Sequence, residues 1–394
     1  MSAVWLLCLS AAASSVEWEL VGQGHEAHPA LPALLRAAGE AAEESLARIR
    51  EELGLVPAKA PILWVLDVTD VARPARQGEP FKLGRTRFVN GSAVLSIPAR
   101  KYLREPPSVR SVIAHEAVHA ALMSALGSPE LYEAVPAWFR EGMAVHFAGE
   151  GDLLVREAVV ASLLEDQPAD AFLTGLPPMD FARGTAPRGG RGAEVSYAEA
   201  YLASSYIHET LGASGWKVLV SRAASGQSLV PLLESLLGST REALRAGALR
   251  HARQRVGDLL PAALGERFRE SIRADKRGEG EGARAAWERI LEEDSSGPLA
   301  STVRYFLARS ALKELGSPAA RLAARRHLEG LLSERGSLWR PEGLVLLGEC
   351  LESEGDTPRA REAWLEVLEV FGEDSGPAAR AREALAAAGT GSTK

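Results

Sequence analysis

Cysteine is nearly absent from this chain: there are two in 394 residues, Cys8 and Cys350. With so few thiols no disulfide framework can hold the fold, whichever side of a membrane it works on. Cys350 sits in the apolar helical stretch LVLLGECLE and reads as inert core. An excess of positive charge is also missing. The formal net charge is -7 and the pI is near 5.8, which excludes the basic footprint of a nucleic-acid partner. Past the first residues, no run approaches the ~20 apolar residues of a membrane span. Histidine is scarce at eight residues, so its placement is informative. What is present is ordinary globular composition, 46% apolar and 25% charged, enough for two or three compact domains.

The opening MSAVWLLCLSAAASS is a short apolar run ending in small residues before the polar VEWE. That is the layout of a signal peptide over residues 1–15, cleaved between about Ala13 and Ser15. It predicts an exported protein, periplasmic or extracellular. No Lys or Arg precedes the run, and a buried N-terminal strand or helix is the alternative. A lipid anchor at Cys8 would want a small residue before it, where Leu7 stands, so the thiol reads as a small hydrophobe.

Behind the leader the pattern predicts an α+β module over residues 16–260: a small mixed β-sheet followed by a helical metallopeptidase-like part. VEWELVG alternates as a strand, and a helix runs from about Pro32 to Leu53 with Gly54 as its stop. ILWVLDV is a buried strand, and Asn90-Gly91 marks the turn of a hairpin whose second arm is AVLSI. Helices follow from Pro106 to Leu126 and from about Pro136 to Gly149. Residues 183–195, rich in Gly, Arg and Pro, read as a mobile solvated connector. From 261 to 388 the texture becomes all-α. ARAAWERILEEDSSGP returns as AREAWLEVLEVFGEDSGP with Trp287 and Trp364 in register, and AARRHLEGLLSERG lies between as a weaker copy. Units of slightly under forty residues resemble a tetratricopeptide-like (TPR-like) array of helical hairpins, with an irregular helical extension as the alternative. Such an array suits a protein partner or simply caps its neighbour. Residues 389–394 read as a disordered tail.

The chemistry concentrates in VIAHEAVHAALMSALG. His115 and His119 stand four apart on a helix, on one face and one turn apart, where two imidazoles can hold one Zn2+. Glu116 lies beside that face as a general base toward a water activated by the metal. A third ligand is needed. PAWFREGMAVHF starts a second helix soon after the first stops, which can bring Glu141 to the metal; Glu133, Glu150 and His146 are the competing candidates. His25 and His28 form an H-x-x-H with no Cys or Asp nearby and read as loop histidines.

H-E-A-V-H followed by W-F-R-E-G-M-A resembles the gluzincin, or peptidase-MA-like, zinc metallopeptidases that include the aminopeptidase-N-like enzymes. The resemblance covers roughly residues 16–257 in layout and is strongest over 108–147. It implies Glu141 as third zinc ligand and Glu116 as catalytic base. SYAEAYLASSYIHETLG is similar to the family helix that opens with a Tyr donating to the oxyanion; by position the role falls on Tyr197, with Tyr201 in reserve. A Tyr packed with its ring buried is the plainer alternative, and His208 on the same helix reads as an ordinary core or surface residue. One departure matters. The G-x-M-E-N segment by which those aminopeptidases grip a free amine is missing, and residues 92–97 are expected either as the substrate-binding edge strand without that acidic anchor or simply as sheet. The expected activity is therefore hydrolysis of peptide or protein substrates by an endopeptidase. A non-catalytic partner-binding protein on the same fold is the alternative, and a zinc hydrolase of non-peptide substrates a third reading.

Overall fold

The computed structural model describes residues 5–8, 19–22, 29–55, 62–66, 84–89, 92–175, 191–313, 317–334, 337–371 and 376–390. His25, His28, Asn90, Gly91 and most of the leader lie outside the described residues, as do 183–190 and 391–394. By contacts the chain forms two units, Met1–Val155 with Leu173–Gln254, and Arg156–Phe172 with Arg255–Lys394. The described architecture is α+β.

In the first unit the elements run β1 (Trp5–Cys8), β2 (Glu19–Gly22), α1 (Leu31–Leu53), β3 (Ile62–Leu66), β4 (Arg85–Val89), β5 (Ser92–Pro98) and α2 (Ala99–Tyr102). The helices α3 (Val109–Leu126), α4 (Pro129–Ala134), α5 (Ala137–Ala148) and α6 (Gly151–Leu164) come next. Then come α7 (Arg191–Ala224), α8 (Leu229–Leu237) and α9 (Arg241–Leu259). The five strands form one mixed sheet in the order β1-β2-β3-β5-β4. β2 and β3 pair in parallel, with α1 as the crossover that parallel neighbours require. β5 joins β3 in parallel, while β4 pairs antiparallel with β5 from Arg85↔Ser96 to Val89↔Ser92. Trp5–Cys8, inside the segment with leader character, pairs antiparallel with β2.

Residues 92–97 are therefore not the edge expected of them; among the described residues the edge beside them is β4. The reason is visible in the side chains. β5 is buried from Ala93 to Pro98 because AVLSIP is apolar almost throughout and has neighbours on both sides. β4, RTRFV, has exposed Arg85 and Arg87 and suits a strand with one open side.

The core of this unit lies between α1, β5 and α3. Leu34, Ala38 and Ala42 of α1 meet Leu95 and Ile97 of β5 and Val109, Val112 and Ile113 of α3. Each large aliphatic side chain buried there contributes roughly 1.5–3 kcal/mol. The small residues of α1 let the two helices approach closely. Helix α7 contains a kink at Gly212, whose φ of 69° and ψ of 176° lie outside the helical region. It begins at Arg191, inside the stretch expected to be connector.

The second unit is helical throughout its described residues. After the C-terminal parts of α6 and α9 come α10 (Ala262–Lys276), α11 (Gly280–Glu293), α12 (Ala300–Leu312), α13 (Pro318–Ser333), α14 (Arg340–Ser353), α15 (Thr357–Phe371) and α16 (Gly376–Thr390). Consecutive helices pack on each other, and α14 also touches α12 and α16. The repeated tryptophans do the same work in each copy. Trp287 of α11 is buried and stacks on Phe306 of α12 at 5.2 Å between centroids. Trp364 of α15 is buried against Gly348 of α14 and donates its Nε1–H to the Val345 carbonyl at 3.3 Å. Arg156–Phe172 belongs to this unit because Asp166 is held from α10: Arg273 Nε reaches its carboxylate at 2.8 Å and Arg269 Nη2 its carbonyl at 3.2 Å. Among the described residues no helix is long and apolar enough to cross a membrane.

Candidate metal centre

Three local signals bend the chain back on itself around α3. The turn Pro106–Ser108 starts the helix, and Gly127 ends it with its N–H on the Met123 carbonyl at 3.0 Å. Ser128 then caps α4 by accepting from the Leu131 N–H at 3.2 Å. α5 follows after Pro136 and is anchored by Trp138 and Phe139, the latter buried with its ring edge on Trp216 of α7. That packing turns Glu141 toward α3.

His115, His119 and Glu141 converge. Their ligand atoms form a nearly equilateral triangle: 3.3 Å between the two Nε2 atoms, 3.4 Å from His115 Nε2 to Glu141 Oε2, and 3.3 Å from His119 Nε2 to the same oxygen. This bears directly on whether the residues fit zinc. Bonds of ~2.0–2.1 Å in a tetrahedron put neighbouring ligand atoms roughly 3.3–3.4 Å apart. The triangle has that size, and among the described residues this is the one group that could hold an ion. The charge fits as well: Glu116 and Glu141 supply two carboxylates against a dication.

The protonation pattern is that of three donors facing one another. Burial alone would push the Glu141 carboxyl up, but the imidazoles of His119 and His115 outweigh it and hold the group well below the usual carboxylate range. Burial pulls His115 down, and the hydrogen bond and charge of Glu141 reverse this, so His115 is raised. A cation held here would compete with any proton these groups carry.

Glu116 lies outside the triangle, next along α3 from His115. Its Oε2 accepts a hydrogen bond from Thr86 Oγ1 of β4 at 2.6 Å, and the same hydroxyl is 3.1 Å from the Glu116 carbonyl. Gly84 makes this approach feasible, since a Cβ there would lie 2.7 Å from Val112 Cγ1 and 3.0 Å from Glu116 Cγ. Thr86 has no signal in the sequence; RTRFV reads as plain strand. Tyr132 of α4 was equally hidden, and its Oη lies 3.0 Å from His119 Nδ1.

Tyr197, at the start of the described side chains of α7, has its ring edge-on to His115 at 6.1 Å between centroids. Burial, then the carboxylates of Glu141 and Glu116, push its phenol up, so it stays an O–H donor. Tyr201 faces elsewhere, its ring against Gly151. The rival ligands are also apart from the triangle. Glu133 is exposed and paired with Arg140 at 3.1 Å. Glu150 follows the C-terminus of α5. His146 packs its ring on those of His208 and Trp216, where burial first and then His208 pull it down to about 4.

Helices α5 and α7 cross at Gly142, one residue after Glu141. A Cβ there would stand 2.1 Å from Ser204 Oγ and 2.2 Å from the Ala200 carbonyl. We expect Gly142→Ala to cost about 1–3 kcal/mol by forcing the helices apart. The check is the urea midpoint, which should fall with an unchanged slope.

No protein-family model matches this chain, and no curated protein matches it either.

Proposed function

We propose that this chain is an exported zinc-dependent peptidase of the gluzincin kind that hydrolyses peptide bonds in peptide or protein substrates. The observation that carries the reading is the triangle of His115, His119 and Glu141, with edges of 3.3–3.4 Å, standing beside a carboxylate that is not part of it. A zinc ion held by these three would supply Lewis-acid and water-activating chemistry. Glu116 takes a proton from the attacking water and delivers it to the leaving amine. Thr86 keeps that carboxylate aimed by its 2.6 Å hydrogen bond. The Tyr197 phenol donates to the oxyanion that develops on the attacked carbonyl. β4, a terminal strand among the described residues and joined to Glu116 through Thr86, offers backbone groups to an extended substrate. With no acidic anchor for a free amine, cleavage inside the chain is the expected mode. The second unit, as a TPR-like array, would dock a protein partner or substrate.

The test is digestion of a diverse peptide mixture by the zinc-loaded protein, read by mass spectrometry beside a Glu116→Gln control. Cuts inside peptides that vanish in the control support the reading. Equal patterns in both samples, or none in either, defeat it. A finer prediction concerns Thr86. Thr86→Val should lower kcat about tenfold, since a hydrogen bond to a charged group is worth ~1.5–3 kcal/mol when it orients the reacting carboxylate. Zinc content should not change, and a measured loss of zinc would assign Thr86 to the metal centre instead.

A further inference from the structure

The geometry points to Tyr132 as a positioning residue that holds His119 in its metal-binding tautomer, with Arg140 pinning the phenol in place. This rests on reading His115, His119 and Glu141 as a metal centre. His119 meets the triangle through Nε2, so that nitrogen must offer its lone pair and the ring proton must sit on Nδ1. His119 is buried, and an Nδ1–H without an acceptor there would be a costly orphan. With the proton on Nδ1, the Tyr132 hydroxyl 3.0 Å away is placed to accept it. A hydroxyl that accepts from Nδ1–H offsets the cost of burying that proton and so favours the tautomer whose Nε2 is free for a metal. A neutral phenol also donates less electron density to the ring than a carboxylate would, which leaves a bound cation more electron-poor.

The placement of Tyr132 is built rather than incidental. The six-residue helix α4 has no other evident task than to turn the chain from α3 to α5, yet its Tyr132 is buried against His119 with rings edge-on. Over the face of that phenol lies the Arg140 guanidinium, 4.1 Å from the ring centroid. Arg140 is itself buried. Its Nη2 reaches Glu133 at 3.1 Å, while Nε and Nη1 have no hydrogen-bond partner among the described residues. Burying a guanidinium that is only partly satisfied is costly, and stacking on Tyr132 is the contact that offsets it. Arg140 immediately precedes Glu141, so one turn of α5 carries both a metal ligand and the clamp on the other ligand's partner. The three helices are thus interlocked through one phenol.

The experiment is competition for Zn2+ between the full-length protein and a chromophoric chelator, for wild type, Tyr132→Phe, Arg140→Met and the double variant. Tyr132→Phe removes one oxygen and should lower zinc affinity about tenfold, within the range for partners of metal-bound histidine. Its metal-free thermal midpoint should fall less than its zinc-loaded one, because only the zinc-loaded form must keep the proton on Nδ1. Arg140→Met should weaken zinc about threefold by itself and not at all once the hydroxyl is gone, as coupled neighbours behave. In zinc-loaded wild type the His119 Nδ1–H should give a slowly exchanging signal in histidine nitrogen–proton spectra, lost in Tyr132→Phe. Wild-type zinc affinity in Tyr132→Phe, or an equal loss of metal-free stability and affinity, overturns the inference. A wild-type protein that binds no zinc overturns the metal centre itself, and this inference with it.

Discussion

Under the proposed peptidase function, Glu116→Gln should lower kcat/KM for peptide cleavage by about a hundred- to ten-thousandfold, the usual contribution of a positioned general base. The substitution keeps the shape of the side chain and an oxygen to accept from the Thr86 hydroxyl, so the 2.6 Å hydrogen bond between β4 and α3 can persist. What it removes is the ability to take a proton. Because the Glu116 carboxylate is not a corner of the ligand triangle, zinc content and thermal midpoint stay at wild-type values. Stopped assays on zinc-loaded proteins, with metal analysis of the same samples, check both halves. Full activity in Glu116→Gln would remove it from the chemistry, and loss of zinc would make it a ligand.

Glu141→Ala should weaken zinc by more than about a hundredfold, since even partners one shell out cost 10–100-fold. Two imidazoles four residues apart on α3 remain, one donor short of the three that a catalytic zinc site uses. The variant also strips the carboxylate 3.3–3.4 Å from both Nε2 atoms, so the positive charge gathered there loses its counterweight. Glu133→Ala is the matched control: that exposed carboxylate is not in the triangle, and its loss, felt only through Arg140, should weaken zinc no more than the about threefold expected of Arg140→Met. Chelator competition on both proteins decides between them. A larger loss from Glu133→Ala than from Glu141→Ala would reassign the third ligand.

The parts of this site that are legible in the sequence are those whose geometry is local. A four-residue spacing on a helix places His115 and His119 on one face whatever surrounds them, and Glu116 follows from being next in line. Glu141 enters through the resemblance of W-F-R-E-G-M-A to a family motif, and the structure brings its carboxylate to the two histidines. Thr86 and Tyr132 carry no such signal. Thr86 meets Glu116 across 30 positions because β4 lies over α3, and PELYEA reads as a mere connector until its phenol is seen against His119. Strand order shows the same limit, because alternation says which face a residue takes but not which strand lies beside it. The continuous apolar run AVLSI did hold the signal of an inner strand, and the alternating RTRFV that of an edge. WLLC has no periodicity that separates leader from strand. In the second unit the register of Trp287 and Trp364 was readable, whereas the pairing of Asp166 with Arg269 and Arg273, over a hundred positions, was not.

Zinc content by elemental mass spectrometry tests most directly whether His115, His119 and Glu141 form one metal centre. Full-length protein dialysed against trace zinc should hold one equivalent, and His119→Ala dialysed beside it should hold close to none. Zinc absent from the folded wild type, or retained equally by His119→Ala, would contradict the account.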